Sequence, residues 1–234
     1  MALGVIFSSF FSALGQIWDP RFRRVLFLGL GLTFGLLVLA YFGLLSLFST
    51  FGLYGAADAA LGADGWGTTV VNATGFVAIL ILSIFLMVPV ASAFTSLFLD
   101  RVAQAVEDKH YPYLAKATPV PFGEALKDTV NFLGILVAAN VFALLLYLVF
   151  PPFAPMIFWG LNGFLLGREY FFIAAMRRVG RIEAKAMRRT HYVTIWSAGI
   201  LMVVPLSVPL VNLLVPILGA ATFTHIFHKL EAAE

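Results

Sequence analysis

The sequence predicts an all-helical integral membrane protein. Of its 234 residues, 61% are apolar and 12% are charged, whereas a soluble domain usually has about 25% charged residues. Four runs contain no Asp, Glu, Lys or Arg: residues 25–57, 65–99, 129–167 and 190–228. A spanning helix needs about 20 apolar residues, so each run is long enough to cross a bilayer. Lipid permits only helices or closed barrels, and these runs are too long and too uniformly apolar for barrel strands of about 10 residues.

The distribution of Lys and Arg predicts the topology. The segment between the first two runs contains two aspartates and no cation, whereas the other segments that border the runs are basic. Because Lys and Arg accumulate on the cytoplasmic side, both termini and the segments 100–128 and 168–189 are expected there. The predicted spanning helices are 20–53 and 68–109, of which roughly 25–50 and 68–98 cross the bilayer while the remaining residues extend beyond it.

The last two runs predict helical hairpins, since each begins and ends at a basic segment. Prolines interrupt the middle of both runs, at positions 151, 152, 155, 205, 209 and 216, and proline breaks helices. The arm between Val193 and Pro205 has about 12 residues and spans about 18 Å, which is shorter than the ~30 Å hydrocarbon core. The predicted hairpins, 129–176 and 190–228, are therefore hemi-penetrating, although the longer arms of the first are also compatible with a full crossing.

The breaks that the prolines make in these hairpins indicate how the chain assembles in the membrane. Non-helical backbone at membrane depth must be buried in protein or line a wet cavity. One membrane domain is expected to cover residues 1–234 and to form a homo-oligomer, a dimer or larger, or to enclose a pore.

The first 18 residues predict an amphipathic helix. Apolar side chains recur at steps of three and four residues, opposite Ser8, Ser9, Ser12 and Gln16. Such a helix either lies in the membrane interface or packs on the helical bundle. We favour the interface for residues 1–18.

The segment before the first uncharged run has the features of an anion site. Asp19 and Pro20 are typical of a helix N-cap and a first helical residue, so a helix N-terminus is expected beside Arg21, Arg23 and Arg24. Helix N-termini attract anions, and arginine forks match the oxygens of tetrahedral oxyanions. Two other interpretations stay open: the arginines anchor to lipid headgroups, or Asp19 caps the donors that an anion would need.

A second basic stretch lies between the hairpins and also includes Arg177 and Arg188. On a continuous helix, one face would carry Arg178, Arg181, Lys185 and Arg189. This face either lies against lipid headgroups or forms an electropositive vestibule on the cytoplasmic side.

No pattern in the sequence supports catalysis or a cofactor. The chain has no cysteine, which excludes disulfides and thiolate metal sites. His225 and His228 are three residues apart with no nearby paired carboxylate, so we predict no metal site. No GxxxG helix-packing motif is prominent in the uncharged runs. Because the basic charge follows the topology, we expect membrane lipids and not nucleic acid as partners.

Two segments resemble the CysZ family of bacterial sulfate permeases. They are WDPRFRRVLFLGLGL, residues 18–32, and AMRRTHYVTIWSAGILMVVPLSVPLVNLLVPILGAATFTHIF, residues 186–227. The resemblance extends over nearly the whole chain. It implies an oligomer in the bacterial inner membrane, with two long spanning helices and two hemi-penetrating hairpins, that takes up sulfate for cysteine biosynthesis.

The resemblance also implies which residues meet sulfate. The sulfate-binding motif of the family corresponds to Arg21, Phe22, Arg23 and Arg24. Arg21 stands where the motif has glycine. A glycine lets an anion approach the bare backbone N–H groups, whereas Arg21 supplies an additional charge instead.

The acidic residue that the family has on the extension of its second helix corresponds to Asp100, and we include Asp100 and Arg101 as candidates for lining a pore. The expected function is a permease or channel for sulfate or a related oxyanion, either passive or ion-coupled. The alternative is a membrane scaffold or regulator that does not transport and binds lipids or partner proteins through its basic cytoplasmic face.

Overall fold

The computed structural model describes residues 2–50, 98–117, 121–208 and 211–233, together with isolated positions between 59 and 77. Within these ranges the regular structure is helical and contains no strand, which confirms the all-helical class. The α-helices are α1 (Ala2–Gly15), α2 (Pro20–Thr50), α3 (Asp100–His110), α4 (Phe122–Val149), α5 (Ala154–Thr190), α6 (Tyr192–Leu206) and α7 (Val215–Glu231). Most of the predicted second spanning helix, 68–109, lies outside the described residues.

The chain forms two compact units, one of residues 1–27 and 91–234 and one of residues 28–90. In the second unit, the described part of α2 exposes large apolar side chains, including Phe34, Leu39 and Phe42. Among the described residues of the first unit, two segments are long and apolar enough to cross a membrane, Leu126–Val149 and Val211–Glu231. The first is almost entirely exposed, as a helix surrounded by lipid would be, whereas the second is mostly buried among the other helices.

The prolines interrupt the helices in both predicted hairpins. Helix α4 ends at Val149, a 3-10 turn covers Pro151–Phe153, and α5 then runs on to Thr190. Helix α6 ends just after Pro205, and a second 3-10 turn, Val211–Leu214, precedes α7. How deeply these segments enter a membrane stays a prediction.

Helices α5 and α6 approach closely because glycines face each other. A Cβ atom on Gly199 would collide with the carbonyl oxygen of Gly163, and one on Gly167 would collide with the carbonyl oxygen of Ile195. Gly163 and Gly167 have the four-residue spacing of a GxxxG motif, which lets two helix backbones touch. The prediction that no GxxxG motif is prominent in the uncharged runs is therefore wrong.

Helix α7 lies at the centre of the first unit, in contact with α1, α3 and α5. Its apolar side chains pack with those of α5, for example Phe227 against Phe171. Helix α1 and the turn that follows it pack on this core through a stripe that includes polar residues, and the buried positions are Ile6, Ser9, Ala13 and Gln16. The large apolar side chains Leu3, Phe7 and Phe11 of α1, and Trp18 after its end, stay exposed. An apolar face turned away from the protein suits an interfacial helix, and its location in the membrane interface stays a prediction.

Candidate functional site

The centre of the candidate site is the buried carboxylate of Glu107. Helix α3 buries one face, formed by Val102, Ala103, Ala105, Val106 and Glu107. The Glu107 side chain is only 2% exposed, and it accepts hydrogen bonds from two arginines of α5: Arg177 Nη1 at 2.7 Å and Arg178 Nε at 2.9 Å. The Nε2 atom of His228, on α7, lies 3.0 Å from Glu107 Oε1, the same oxygen that Arg178 Nε contacts. One acid therefore joins three helices.

These partners keep Glu107 ionised. Burial alone would raise the pKa of its carboxyl group, because a charge is poorly solvated inside a protein. The hydrogen bonds from His228 and Arg178, together with the charge and hydrogen bond of Arg177, outweigh burial and hold the pKa at about 2. At neutral pH the carboxylate is negative and balances the guanidinium groups that face it.

Arg177 connects Glu107 to the rest of the same helix face. Its side chain is 2% exposed, and it donates to Asp100 Oδ1 at 2.7 Å and to Gln104 Oε1 at 3.0 Å. Asp100, Gln104 and Glu107 are spaced by four and three residues, so they lie on one side of α3. A single guanidinium group thus satisfies three acceptors in a row.

The network continues to the first turn of α2. Gln104 Nε2 donates to Asp108 Oδ1 at 2.8 Å, and the Nη1 atom of Arg21 lies 2.6 Å from Asp108 Oδ2. The hydrogen bond from Gln104 and the hydrogen bond and charge of Arg21 lower the pKa of the exposed Asp108 carboxyl. Arg21 is therefore coupled to Arg177 through two side chains of α3.

The four residues predicted to bind sulfate have different environments. Phe22 is buried in an apolar cluster with Val25, Val102 and Ile217 and does not face solvent. Arg21 pairs with Asp108, while Arg23 and Arg24 are exposed and make no ion pair with any residue that the structure describes. Sulfate binding by this turn stays a prediction, in which Arg23 and Arg24 are the accessible charges.

Asp19 occupies one of the donors of this turn. Its Oδ1 atom accepts a hydrogen bond from the backbone N–H of Arg21 at 2.9 Å, and its Oδ2 atom accepts one from Gln16 Nε2 at 3.0 Å. A helix N-terminus usually has four free N–H groups, but here Pro20 has no N–H and the N–H groups of Asp19 and Arg21 are already bonded. Charge is therefore the main attraction for an anion at this turn.

The two predicted pore-lining residues, Asp100 and Arg101, have different environments. Asp100 is part of the buried network through Arg177. Arg101, on the same turn, is exposed and has no ion-pair partner among the described residues. The network links Asp100 to Arg21 only indirectly, through Arg177, Gln104 and Asp108.

The second basic stretch does not form the continuous face that was predicted. Gly180 has φ 79° and ψ 174°, a conformation that interrupts the helix between Arg178 and Arg181. Arg177 and Arg178 face Glu107, and Arg181 pairs with Asp128 and, at 3.6 Å, with Glu124. Three of the six cations are thus neutralised by carboxylates and do not form a headgroup stripe or an open vestibule.

The histidines near the C-terminus have partners that sequence could not indicate. His228 contacts Glu107, which is 121 residues away, and its Nδ1 atom lies 3.4 Å from Glu231. The Nδ1 atom of His225 lies 3.1 Å from the hydroxyl of Tyr111. The contact between His228 and Glu107 is therefore visible only in the structure. No group of three or more possible metal ligands occurs among the residues that the structure describes.

A comparison with known families gives one match. The sequence model of the family described as "Sulfate transporter CysZ/Etoposide-induced protein 2.4" matches residues 9–216, which is most of the chain. This range contains the first turn of α2, the network around Glu107 apart from His228, and both predicted hairpins up to residue 216. No curated protein and no solved structure matches the chain significantly.

Proposed function

The chain belongs to the Sulfate transporter CysZ/Etoposide-induced protein 2.4 family, and we propose that it carries sulfate or a related oxyanion across the bacterial inner membrane for cysteine biosynthesis. The observation that carries this proposal is the family match over residues 9–216. The all-helical fold and its long apolar segments are compatible with a membrane transporter.

The first turn of α2 supports the proposal as a capture point for an anion. Arg23 and Arg24 are exposed at a helix N-terminus, where the helix dipole favours negative charge. Phe22, which lies between Arg21 and Arg23, is anchored in the apolar core. The anchored ring and the Arg21–Asp108 pair hold the turn in place, so its remaining charges are presented from a fixed support.

The buried network supports a second step, the passage of an anion past α3. A divalent anion in a low-dielectric path is repelled by an uncompensated carboxylate. Here Arg177 and Arg178 face Glu107 and Asp100, so the acids near the site are neutralised. We propose that Asp100 and Arg101 lie beside the path, with Asp100 held by Arg177.

The alternative function, a scaffold that binds lipids or partners through a basic face, has less support. Arg177, Arg178 and Arg181 are occupied by ion pairs with α3 and α4. The basic surface that such a scaffold would use is therefore smaller than the sequence suggests.

Growth on sulfate tests the proposal in cells. A bacterial strain that lacks its own sulfate uptake system, and therefore requires cysteine, should grow on sulfate when it expresses this chain. An Arg23→Ala/Arg24→Ala variant expressed at the same level should support slower growth, and Lys127→Ala, an exposed cation of α4 without an ion pair among the described residues, should grow like the wild type. A continued requirement for cysteine, with the chain present in the membrane fraction, would contradict the proposal.

A further inference from the structure

A cavity of about 280 Å³ lies between α5 and the start of α6, away from Glu107. Its lining combines three arginines with aromatic side chains: Arg168, Arg188, Arg189, Phe164, Tyr192 and Trp196. The aromatic residues are exposed at their outer surfaces. The cavity thus has a strongly positive part and a large apolar part.

Two glycine-dependent features of the chain build this cavity. The break at Gly180 redirects the last residues of α5, and the Arg188 guanidinium lies over the ring of Phe172 at 5.8 Å. The close contact at Gly167 brings Ile195 of α6 against α5, and Trp196 Nε1 donates to the carbonyl oxygen of Gly160 at 2.8 Å. Arg188 and Trp196 are therefore fixed by contacts within the protein.

The charge of Glu169 offsets the positive charge of this cavity only in part. Arg177, Arg178 and Arg181 each pair with a carboxylate. In contrast, Arg168, Arg188 and Arg189 form no salt bridge with any residue in the described part of the chain. Burial and the neighbouring charge of Arg168 both lower the pKa of Arg188, and the charge of Glu169 opposes this effect only in part. Like charges held together in a half-buried cavity favour a bound anion.

We propose that this cavity binds the phosphate group of an anionic phospholipid, with the adjoining acyl region against the aromatic side chains. Arginine forks match phosphate oxygens, and Trp and Tyr are typical of the boundary between headgroups and acyl chains. A free phosphate or sulfate ion would use the arginines but would leave the exposed aromatic wall without a ligand. The proposal does not depend on sulfate transport.

Native mass spectrometry of the detergent-purified protein tests this site. Phosphatidylglycerol should stay bound in preference to phosphatidylcholine. An Arg168→Gln/Arg188→Gln variant should bind phosphatidylglycerol about thirtyfold more weakly, since each basic residue near an anionic lipid contributes roughly 1 kcal/mol. Lys185→Gln is the matched control, because Lys185 is exposed on the same segment but does not line the cavity. Equal retention by the double variant and the wild type would overturn the proposal.

A measurement on the wild type covers the case in which the double variant does not fold. A phosphatidylglycerol with a photoreactive acyl chain should label peptides that contain Phe164, Tyr192 or Trp196. Labelling confined to other helices would reject the site. Inorganic phosphate separates the two sources of the anion: if millimolar phosphate prevents the labelling completely, the cavity is a free-anion site and the lipid proposal is wrong.

Discussion

Glu107 and Arg177 form an ion pair between α3 and α5 across a sequence separation of 70 residues, with Oε2 and Nη1 2.7 Å apart and both side chains 2% exposed. A buried pair of this kind is sensitive to the loss of one partner, because the remaining charge loses a close counter-ion and gains no water in exchange. The pair therefore makes α3 and α5 interdependent.

Removing one partner should destabilise the fold strongly. Glu107→Gln or Arg177→Met should each cost about 3–5 kcal/mol and lower the Tm in detergent by roughly 10 °C. The double variant should lose less than the sum of the two, since the interaction between the two side chains can be lost only once. Lys109→Gln, on an exposed position of α3, is the control. Additive losses in the double variant would show that the two side chains are not coupled.

The depressed pKa of Glu107 predicts loss of stability in acid. Its folded-state pKa, about 2, lies below the ordinary value of 4.5. The ionised group therefore stabilises the protein above pH 4.5, and this contribution is lost as the pH falls toward 2. The Tm of the wild type should fall more steeply than that of Glu107→Gln in this window. Parallel curves for the two proteins would contradict the assignment.

The contact between Gly199 and Gly163 predicts that α5 and α6 do not tolerate a methyl group there. Gly199→Ala should destabilise the protein by about 1–3 kcal/mol, as overpacking in a well-packed interior does. Gly134→Ala in α4 is a matched control, since a Cβ at that helical position meets no atom within 4 Å. Thermal unfolding should give a lower Tm for Gly199→Ala than for Gly134→Ala. An unchanged Tm for Gly199→Ala would argue against the close contact.

The exposed arginines of α2 should contribute to sulfate binding. Arg23→Ala/Arg24→Ala should weaken equilibrium binding of radiolabelled sulfate to the purified protein at least about tenfold, because charge-assisted hydrogen bonds to an oxyanion are lost. Lys127→Ala should bind like the wild type. Unchanged binding by the double variant would remove the first turn of α2 from the site.

The sequence predicted the helical class because long uncharged runs and lipid chemistry leave few alternatives. It also located the helix interruptions at Pro151 and Pro205 and the helix that begins at Pro20, since proline acts on the local backbone. Gly180 was missed because a single glycine in a basic stretch gives no sign of a left-handed conformation.

The buried network could not be predicted. Glu107 appeared as one acid among several on a helix extension, and its partners Arg177 and His228 are 70 and 121 residues away. Local patterns carry no information about such pairs. The one available signal was the grouping of Asp100, Gln104 and Glu107 on the same side of a helix, which indicates a polar face but not what covers it.

Sulfate flux is the most direct test of transport. Proteoliposomes that contain the purified wild-type protein should accumulate radiolabelled sulfate faster than protein-free liposomes, and excess unlabelled sulfate should suppress the labelled uptake. Arg23→Ala/Arg24→Ala should reduce this rate, while Lys127→Ala should leave it unchanged. Uptake by the wild type equal to that of protein-free liposomes, with the protein folded and inserted, would contradict the account.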